Sequence, residues 1–167
     1  LLLEGIFKAV NPNRKKIGFL QGHGELKEIE RHDVTFELAK FNANEDVTIN
    51  GKINALKSFD ALVIAKPTKP IGEKDKYIID QFIMNGGKVA WLIDPVVVDL
   101  DALNFNEQTF GLERELNDID EQLFNYGVRI NKDLLVDVSA GKIPLGGKLY
   151  PWYYHPVIRS HRIKNPV

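Results

Sequence analysis

The sequence contains no cysteine, which excludes disulfide bonds, a thiolate nucleophile and any cysteine-based zinc site. It also has no apolar run that approaches the roughly 20 residues needed to cross a bilayer. Charge of either sign is not in excess, since 22 basic residues face 23 acidic ones and the net charge is -1. A chain of this balance has no general electrostatic attraction to nucleic acid, so we predict no nucleic-acid partner.

The common catalytic and cofactor motifs are missing as well. No G-x-G-x-x-G and no G-x-x-x-x-G-K-[ST] occurs, so the sequence carries neither a dinucleotide fingerprint nor an ATPase P-loop. None of its three serines lies in G-x-S-x-G. Its four histidines are scattered without the spacing of a metal site. We therefore predict no catalytic residues, no metal and no cofactor.

Apolar segments alternate with amphipathic ones along the whole chain. An apolar fraction of 44% with 27% charged residues predicts one globular domain over residues 1–167. Hydrophobic periodicity predicts helices and apolar runs predict strands. The predicted helices are Leu1–Val10, Glu25–Phe41, Glu73–Asn85 and Glu113–Tyr126, with a loop over Asp99–Thr109. The predicted strands are Ile17–Leu20, "EDVTING", Asp60–Ala65, "KVAWLIDP" and Asp133–Ser139, while the stretch from Gly141 shows no clear period.

This alternation is typical of βαβ units. The fold class we predict is α/β, a mainly parallel sheet with helices on both faces, in a flavodoxin-like three-layer sandwich. Such sheets place binding sites at the carboxyl ends of their strands, near the switch in strand order. Three polar corners would lie at that rim: Gln21 to Glu25, Lys66 to Lys69, and Asp94-Pro95.

The first corner, "QGHGE", follows a strand and precedes a helix. Gly22 and Gly24 allow a tight turn and a close approach to a ligand, while Glu25 suits the start of a helix. His23 and Glu25 form an acid/base or ligand pair in one interpretation. In the other interpretation, the corner is a tight turn followed by an acidic first helical turn. We favour this second interpretation, because local sequence patterns are weak evidence for chemistry.

The other two corners are candidate ligand contacts with simpler alternatives. Lys66 and Thr68 in "KPTKP" would supply donors to an anion, or belong to a rigid solvated loop, which we favour. Asp94 would contact a ligand, or cap the turn with Pro95, which we also favour. The candidate ligand-binding set is Gln21, His23, Glu25, Lys66, Thr68 and Asp94.

The segment "LYPWYYHP" has the most unusual composition in the chain. Trp152, Tyr153 and Tyr154 stand between two prolines. Such a segment either docks on a partner or packs on its own sheet. We take these three aromatics as the candidate partner-binding residues.

Long stretches of the chain resemble one family. They are "KKIGFLQGHGE", "TINGKINALKSFDALVIAKPTKP", "EKDKYIIDQFIMNGGKVAWLIDP" and "DIDEQLFNYGVRINKDLLVD". They resemble the gliding-motility-associated ABC-transporter auxiliary or substrate-binding proteins, the GldG family of Bacteroidetes-type bacteria. The resemblance extends from about Leu1 through "PWYYHPVIRSHRIKNPV".

The resemblance implies a membrane-anchored parent protein with a large part on the periplasmic side of the inner membrane. It implies an ABC permease and an ATPase as partners, in gliding or secretion. The domain also looks like glutamine-amidotransferase-like folds that have lost their catalytic residues, and the absence of cysteine fits such a loss. The resemblance assigns no ligand or catalytic residue.

Three functions follow from these observations. The leading one is a non-catalytic extracytoplasmic binding and interaction domain of an ABC-type transport complex. The second is a domain that binds a small ligand, for example a saccharide, on its aromatic segment. The third is a degenerate hydrolase-like domain that uses His23 and Glu25.

Overall fold

The computed structural model describes residues 13–98, 111–145 and 147–156, together with Gly5. The chain divides into two compact units, Leu1–Ile130 and Asn131–Val167. Two predictions lie outside the described residues: the helix before Pro12 and the loop over residues 99–109. The exception is Gly5, which is helical. Within those residues, no helix combines the length and the hydropathy needed to span a bilayer.

Between residues 13 and 130, the described part of the first unit contains a four-stranded parallel sheet, a short antiparallel pair and three helices. The sheet strands are Lys16–Leu20 (β1), Ala43–Val47 (β2), Ala61–Ala65 (β3) and Lys88–Leu92 (β4). The antiparallel pair is Val96–Val98 (β5) with Gly111–Glu113 (β6). The helices are His32–Ala39 (α1), Glu73–Met84 (α2) and Asn117–Asn125 (α3), and a 3-10 turn, Glu28–Arg31, precedes α1.

The order of the sheet is β2-β1-β3-β4, and every neighbouring pair is parallel. This confirms the predicted α/β class with a mainly parallel sheet. Because side chains alternate along a strand, the register assigns each residue to one face. Leu20, Leu62 and Ile64 share one face, and all three are buried in a core that also contains residues of α2 and α3.

The opposite face is covered at β1 and β2 by the 3-10 turn and α1. Phe19 on this face is buried, and the Arg31 guanidinium lies 4.6 Å above its ring. Arg31 also pairs with Asp46, and the Asn44 side chain donates to the Thr35 carbonyl at 2.8 Å. Helices therefore lie on both faces, as predicted. Toward the β4 edge the cover is incomplete, since Leu92 is 57% exposed.

Two predicted helices begin later than the sequence indicates. The predicted helix at Glu25 starts with the 3-10 turn at Glu28 instead, because Leu26 N–H donates to the Ala65 carbonyl and holds the chain extended. The predicted helix at Glu113 begins at Asn117, because Glu113 pairs with Val96 in the antiparallel pair.

The second unit contains an antiparallel hairpin of Ala140–Leu145 (β7) and Lys148–Pro156 (β8). The predicted strand over Asp133–Ser139 is wrong. Its apolar residues have the right composition, but Ser139 N–H donates to the Asp137 carboxylate in a local turn that competes with strand pairing. The stretch from Gly141, which shows no clear period, forms the hairpin instead.

The two faces predict different costs for the same substitution. Leu62 is fully buried on the face that packs on α2 and α3, while Leu92 on β4 is more than half exposed. We expect Leu62→Ala to lower the free energy of unfolding by about 2–5 kcal/mol and Leu92→Ala by less than about 1 kcal/mol. Urea denaturation of both variants measures this. Equal losses would contradict the assignment of the faces.

Candidate functional site

The switch in strand order lies between β1 and β3. The chain leaves β1 toward β2 on one side, while β3 and β4 follow on the other side. In open parallel sheets the crevice at this point, outside the carboxyl ends of the strands, is the usual ligand site. The corner Gln21 to Glu25 follows β1, and the corner Lys66 to Lys69 follows β3, so both stand at this crevice.

These two corners are hydrogen-bonded directly to each other. The His23 carbonyl accepts the backbone N–H groups of Thr68 at 2.9 Å and Lys69 at 2.8 Å. The Thr68 hydroxyl donates to the Gly24 carbonyl at 3.1 Å. Gly24 has a φ of +75°, and a Cβ at this position would lie 2.0 Å from Thr68 Oγ1. Only glycine permits this close approach of the two loops.

The His23 ring lies between two carboxylates. Its Nδ1 is 3.1 Å from Glu25 Oε1, and its Nε2 is 3.4 Å from Asp75 Oδ2. The side chains of His23, Glu25 and Asp75 are 12%, 0% and 13% exposed. Glu25 also accepts the His23 backbone N–H through its second oxygen at 2.7 Å.

Asp75 extends this arrangement to a third loop. It lies in the first turn of α2, and its Oδ1 accepts the Gly51 N–H at 2.7 Å. Gly51 belongs to the turn that follows β2 and Asn50. The loops after β1, β2 and β3 are therefore joined through the backbone and the mostly covered ring of His23 and through its two carboxylate partners. The sequence signal for Asp75 was only an acidic first helical turn.

The surroundings shift the pKa of both members of the His23–Glu25 pair. The Glu25 hydrogen bond raises the pKa of His23 against the opposing effect of burial, and the charges of Glu25 and Asp75 raise it further. Burial alone would raise the pKa of Glu25, but the His23 ring and backbone N–H groups together lower it. Each group therefore stabilises the charged form of the other.

The side chains of His23, Glu25 and Asp75, here called the tie, hold the strand-end loops together. A general acid or base needs a ring nitrogen that can reach a substrate. The structure brings His23 and Glu25 together, as the acid/base interpretation requires. Both ring nitrogens of His23, however, face carboxylates of the chain itself, Nδ1 that of Glu25 and Nε2 that of Asp75.

The remaining predicted ligand-binding residues lie around this tie. Gln21 donates from Nε2 to the Leu26 carbonyl at 3.4 Å. Lys66 has a φ of +56°, its N–H donates to the Leu92 carbonyl, and its ammonium pairs with Asp94 at 3.0 Å. Asp94 therefore pairs with Lys66, an alternative that the sequence interpretation did not contain. Within the described residues, no three His, Asp or Glu side chains are placed to hold a metal ion.

The candidate partner-binding residues lie in β8 of the second unit. Trp152 is half-buried and Tyr153 is 51% exposed, while the side chain of Tyr154 lies outside the described set. Asp137 N–H donates to the Tyr153 carbonyl at 2.9 Å, so the segment before β7 runs beside β8. Exposed apolar side chains gather on these two segments: Leu134, Leu135, Val136, Val138, Leu149, Tyr150 and Tyr153.

The described fold is an α/β domain. Its loops after β1 and β3 are hydrogen-bonded to each other across the crevice at the carboxyl ends of the strands. Residues 14–167 match the model of a family described as an ABC-type uncharacterized transport system. The chain therefore belongs to this family of ABC-type transport auxiliary proteins.

Two further comparisons describe similar proteins. An uncharacterized protein of Borreliella burgdorferi is 28% identical over an alignment of 159 positions, which covers 90% of this chain and 30% of the relative's length. The chain thus spans less than a third of that relative. The mmIFT52 N-terminal domain has a TM-score of 0.44 and 11% identity, over 47% of this chain and 36% of that one.

The approach of Gly24 to Thr68 predicts strong coupling between these positions. We expect Gly24→Ala to cost about 2–4 kcal/mol of folding stability, from steric overlap and a left-handed backbone together. Gly86→Ala is the matched control, because Gly86 also has positive φ but has open space around its Cβ position. Its cost should be about 1 kcal/mol, from the backbone alone.

A double-mutant cycle separates the steric cost of Gly24→Ala from the cost of its left-handed backbone. Thr68→Ala removes the hydroxyl that the new Cβ would overlap. The double variant should therefore recover part of the loss, leaving a cost closer to that of Gly86→Ala. Strictly additive losses in urea denaturation would argue against the contact.

The raised pKa of His23 predicts a stability that depends on pH. Its contribution is fully present below its ordinary pKa of 6.5 and is lost as pH rises through the higher folded value. The lowered pKa of Glu25 gives a contribution that is lost only as pH falls through its folded value. We expect His23→Gln to cost about 3 kcal/mol at pH 6, because it leaves buried Glu25 without its cation. The cost should shrink toward pH 9.

Urea denaturation at several pH values between 6 and 9 measures this difference. His32→Gln is the control, because the His32 side chain is 68% exposed and lies outside the tie. A cost of His23→Gln that stays constant over this range would contradict a charged tie.

Proposed function

We propose that this chain is a non-catalytic interaction domain of an ABC-type transport complex. The observation that carries the proposal is the family match over residues 14–167, which runs through both compact units. The domain would act on the periplasmic side of the inner membrane, as part of a membrane-anchored protein that works with a permease and an ATPase. A role in gliding or secretion, as in the GldG family, is the finer form of this proposal.

The geometry of the strand-end corners supports a role without turnover. The crevice at the switch point, where enzymes of this fold class bind substrates, is bridged here by backbone hydrogen bonds between the loops themselves. The His23 ring at this crevice is held between Glu25 and Asp75. A degenerate hydrolase would have to break this tie before His23 could act on a substrate.

The second unit supports an interaction role. Val138 is 91% exposed, Leu135 73% and Leu149 66%. Clustered exposed apolar side chains typically mark protein interaction sites. We propose that the exposed apolar residues of β8 and of the segment before β7, here called the apolar hairpin surface, contact the permease.

The test is purification of the full-length protein from its native membrane with mass spectrometry of what accompanies it. We expect an ABC permease and its ATPase to co-purify. Val138→Asp combined with Tyr153→Asp should lower their recovery by about tenfold or more, since a buried unpaired charge at an interface costs several kcal/mol.

Ile29→Asp is the matched control, because Ile29 is an exposed apolar residue of the first unit, 83% accessible. This variant should leave recovery unchanged. Recovery of neither subunit, under conditions that keep other membrane complexes intact, would overturn the proposal. Equal recovery with the Val138→Asp, Tyr153→Asp variant and with wild type would show that the apolar hairpin surface is not the contact site. The domain would then bind the transporter through other residues.

A further inference from the structure

The two nitrogens of the His23 ring contact two different elements, and the two contacts are unequal. Nδ1 lies 3.1 Å from Glu25 Oε1, within the same loop, and the Glu25 side chain is 0% exposed. Nε2 lies 3.4 Å from Asp75 Oδ2 in the first turn of α2, and the Asp75 side chain is 13% exposed. The contact within the loop is therefore shorter and more deeply buried than the contact with the helix.

The number of N–H groups on the ring depends on its charge. A charged imidazole carries two N–H groups and a neutral one carries a single N–H. Only the charged ring of His23 can therefore donate toward both Glu25 and Asp75. Once the ring is neutral, one nitrogen keeps its N–H while the other turns a lone pair toward a carboxylate. The carboxylate that faces the lone pair loses the attraction that held it to the ring.

Burial decides which of the two carboxylates keeps the donor. A carboxylate shielded from water costs more to leave unpaired than one that water can reach. Glu25 has no exposed side-chain surface, whereas Asp75 is partly exposed and also accepts the Gly51 N–H through its other oxygen. The proton on Nδ1 is therefore the one that is retained. The proton on Nε2 passes to water, which reaches the ring because the His23 side chain is 12% exposed.

Glu25 and Asp75 are the charged groups that act on His23. The Glu25 hydrogen bond is the largest cause of the raised pKa of His23, and the charges of both carboxylates add to it. Other charged residues of the loops after β2 and β3 and of the first turn of α2 pair elsewhere or are exposed: Lys52, Lys66, Lys69, Glu73, Lys74 and Lys76. The loop after β3 contacts His23 through backbone N–H groups.

We propose that His23 is a proton-operated switch for the contact between α2 and the loop after β1. The charged ring holds both carboxylates, and the neutral ring keeps Glu25 through Nδ1–H and releases Asp75. The Thr68 and Lys69 N–H groups stay bonded to the His23 carbonyl in both states, because that carbonyl does not titrate. Loss of the proton therefore separates α2 from the loop after β1, while the loops after β1 and β3 remain joined. The switch does not depend on the transport role proposed above.

The first test is a titration of the ¹⁵N-labelled chain between pH 6 and 9, followed by two-bond ¹H–¹⁵N spectra of the imidazole rings. These spectra separate the charged ring from the two neutral tautomers. We expect His23 to change from the charged ring to the Nδ1–H form, because its carboxylate partners raise its pKa above the ordinary 6.5. His32, whose side chain is 68% exposed, is the control in the same spectra. A neutral Nε2–H form, or a single protonation state throughout, would overturn the proposal.

The second test follows the Gly51 amide, whose N–H donates to Asp75 Oδ1. Its exchange rate with solvent is compared at each pH with the rate of an unstructured chain. We expect this relative rate to rise about three- to tenfold as His23 loses its proton, because Asp75 is then released. The Thr68 amide, which donates to the His23 carbonyl, should show no such rise. An unchanged Gly51 rate, or an equal rise at both amides, would contradict a selective release of Asp75.

Asp75→Asn removes the carboxylate that the switch releases. In this variant the pKa of His23 should fall, and the relative exchange rate of Gly51 should no longer follow the His23 titration. Glu73→Gln is the matched control, because Glu73 lies in the same helical turn but pairs with Lys76 at 2.7 Å. It should leave both readouts close to those of wild type. Equal changes in the two variants would reduce the effect to net charge and overturn the proposal.

Discussion

The carbonyl oxygen of His23 accepts two backbone N–H groups from the loop after β3, and the organisation of the strand-end edge depends on this contact. It brings two loops together across the point where the strand order reverses. Once they are joined, the His23 ring is set between Glu25 and Asp75, and Asp75 in turn holds the turn after β2. The cluster of one histidine and two carboxylates is stable here because the ring pairs with both carboxylates, whose other oxygens accept backbone N–H groups.

These contacts occupy the place where parallel α/β sheets usually bind a ligand. Parallel α/β sheets present a crevice at the switch point, and many enzymes use it. In this chain the crevice is bridged by the loops that would otherwise form a site, so the polar residues at the rim stabilise the domain. The contact surface proposed above, the apolar hairpin surface, lies instead on the second unit.

The sequence predicted the sheet better than the site. Strands β1 and β3 and helix α2 have strong local patterns, so their positions were accessible from hydrophobic periodicity. The pairing of His23 with Glu25, two positions apart, was one of the two interpretations of that corner, and the simple tight turn was the favoured one. Asp75 was missed because its pairing with His23 is set by tertiary packing over 52 positions, and no local pattern records it. The wrong strand at Asp133–Ser139 has apolar composition but a local turn at Asp137, whereas β7 contains glycine and proline and has weak strand propensity.

The central position of β1 has a consequence during synthesis. β1 leaves the ribosome before both of its neighbours, and its partners in β3 follow 44 residues later, as the pairing of Gly18 with Leu62 shows. At roughly 5–20 residues per second, the apolar side chains of Phe19 and Leu20 wait about 2–9 s for that neighbour. During this interval the strand is exposed to chaperones and to other nascent chains. The strand order therefore leaves β1 without its β3 neighbour for longer than it leaves it without β2.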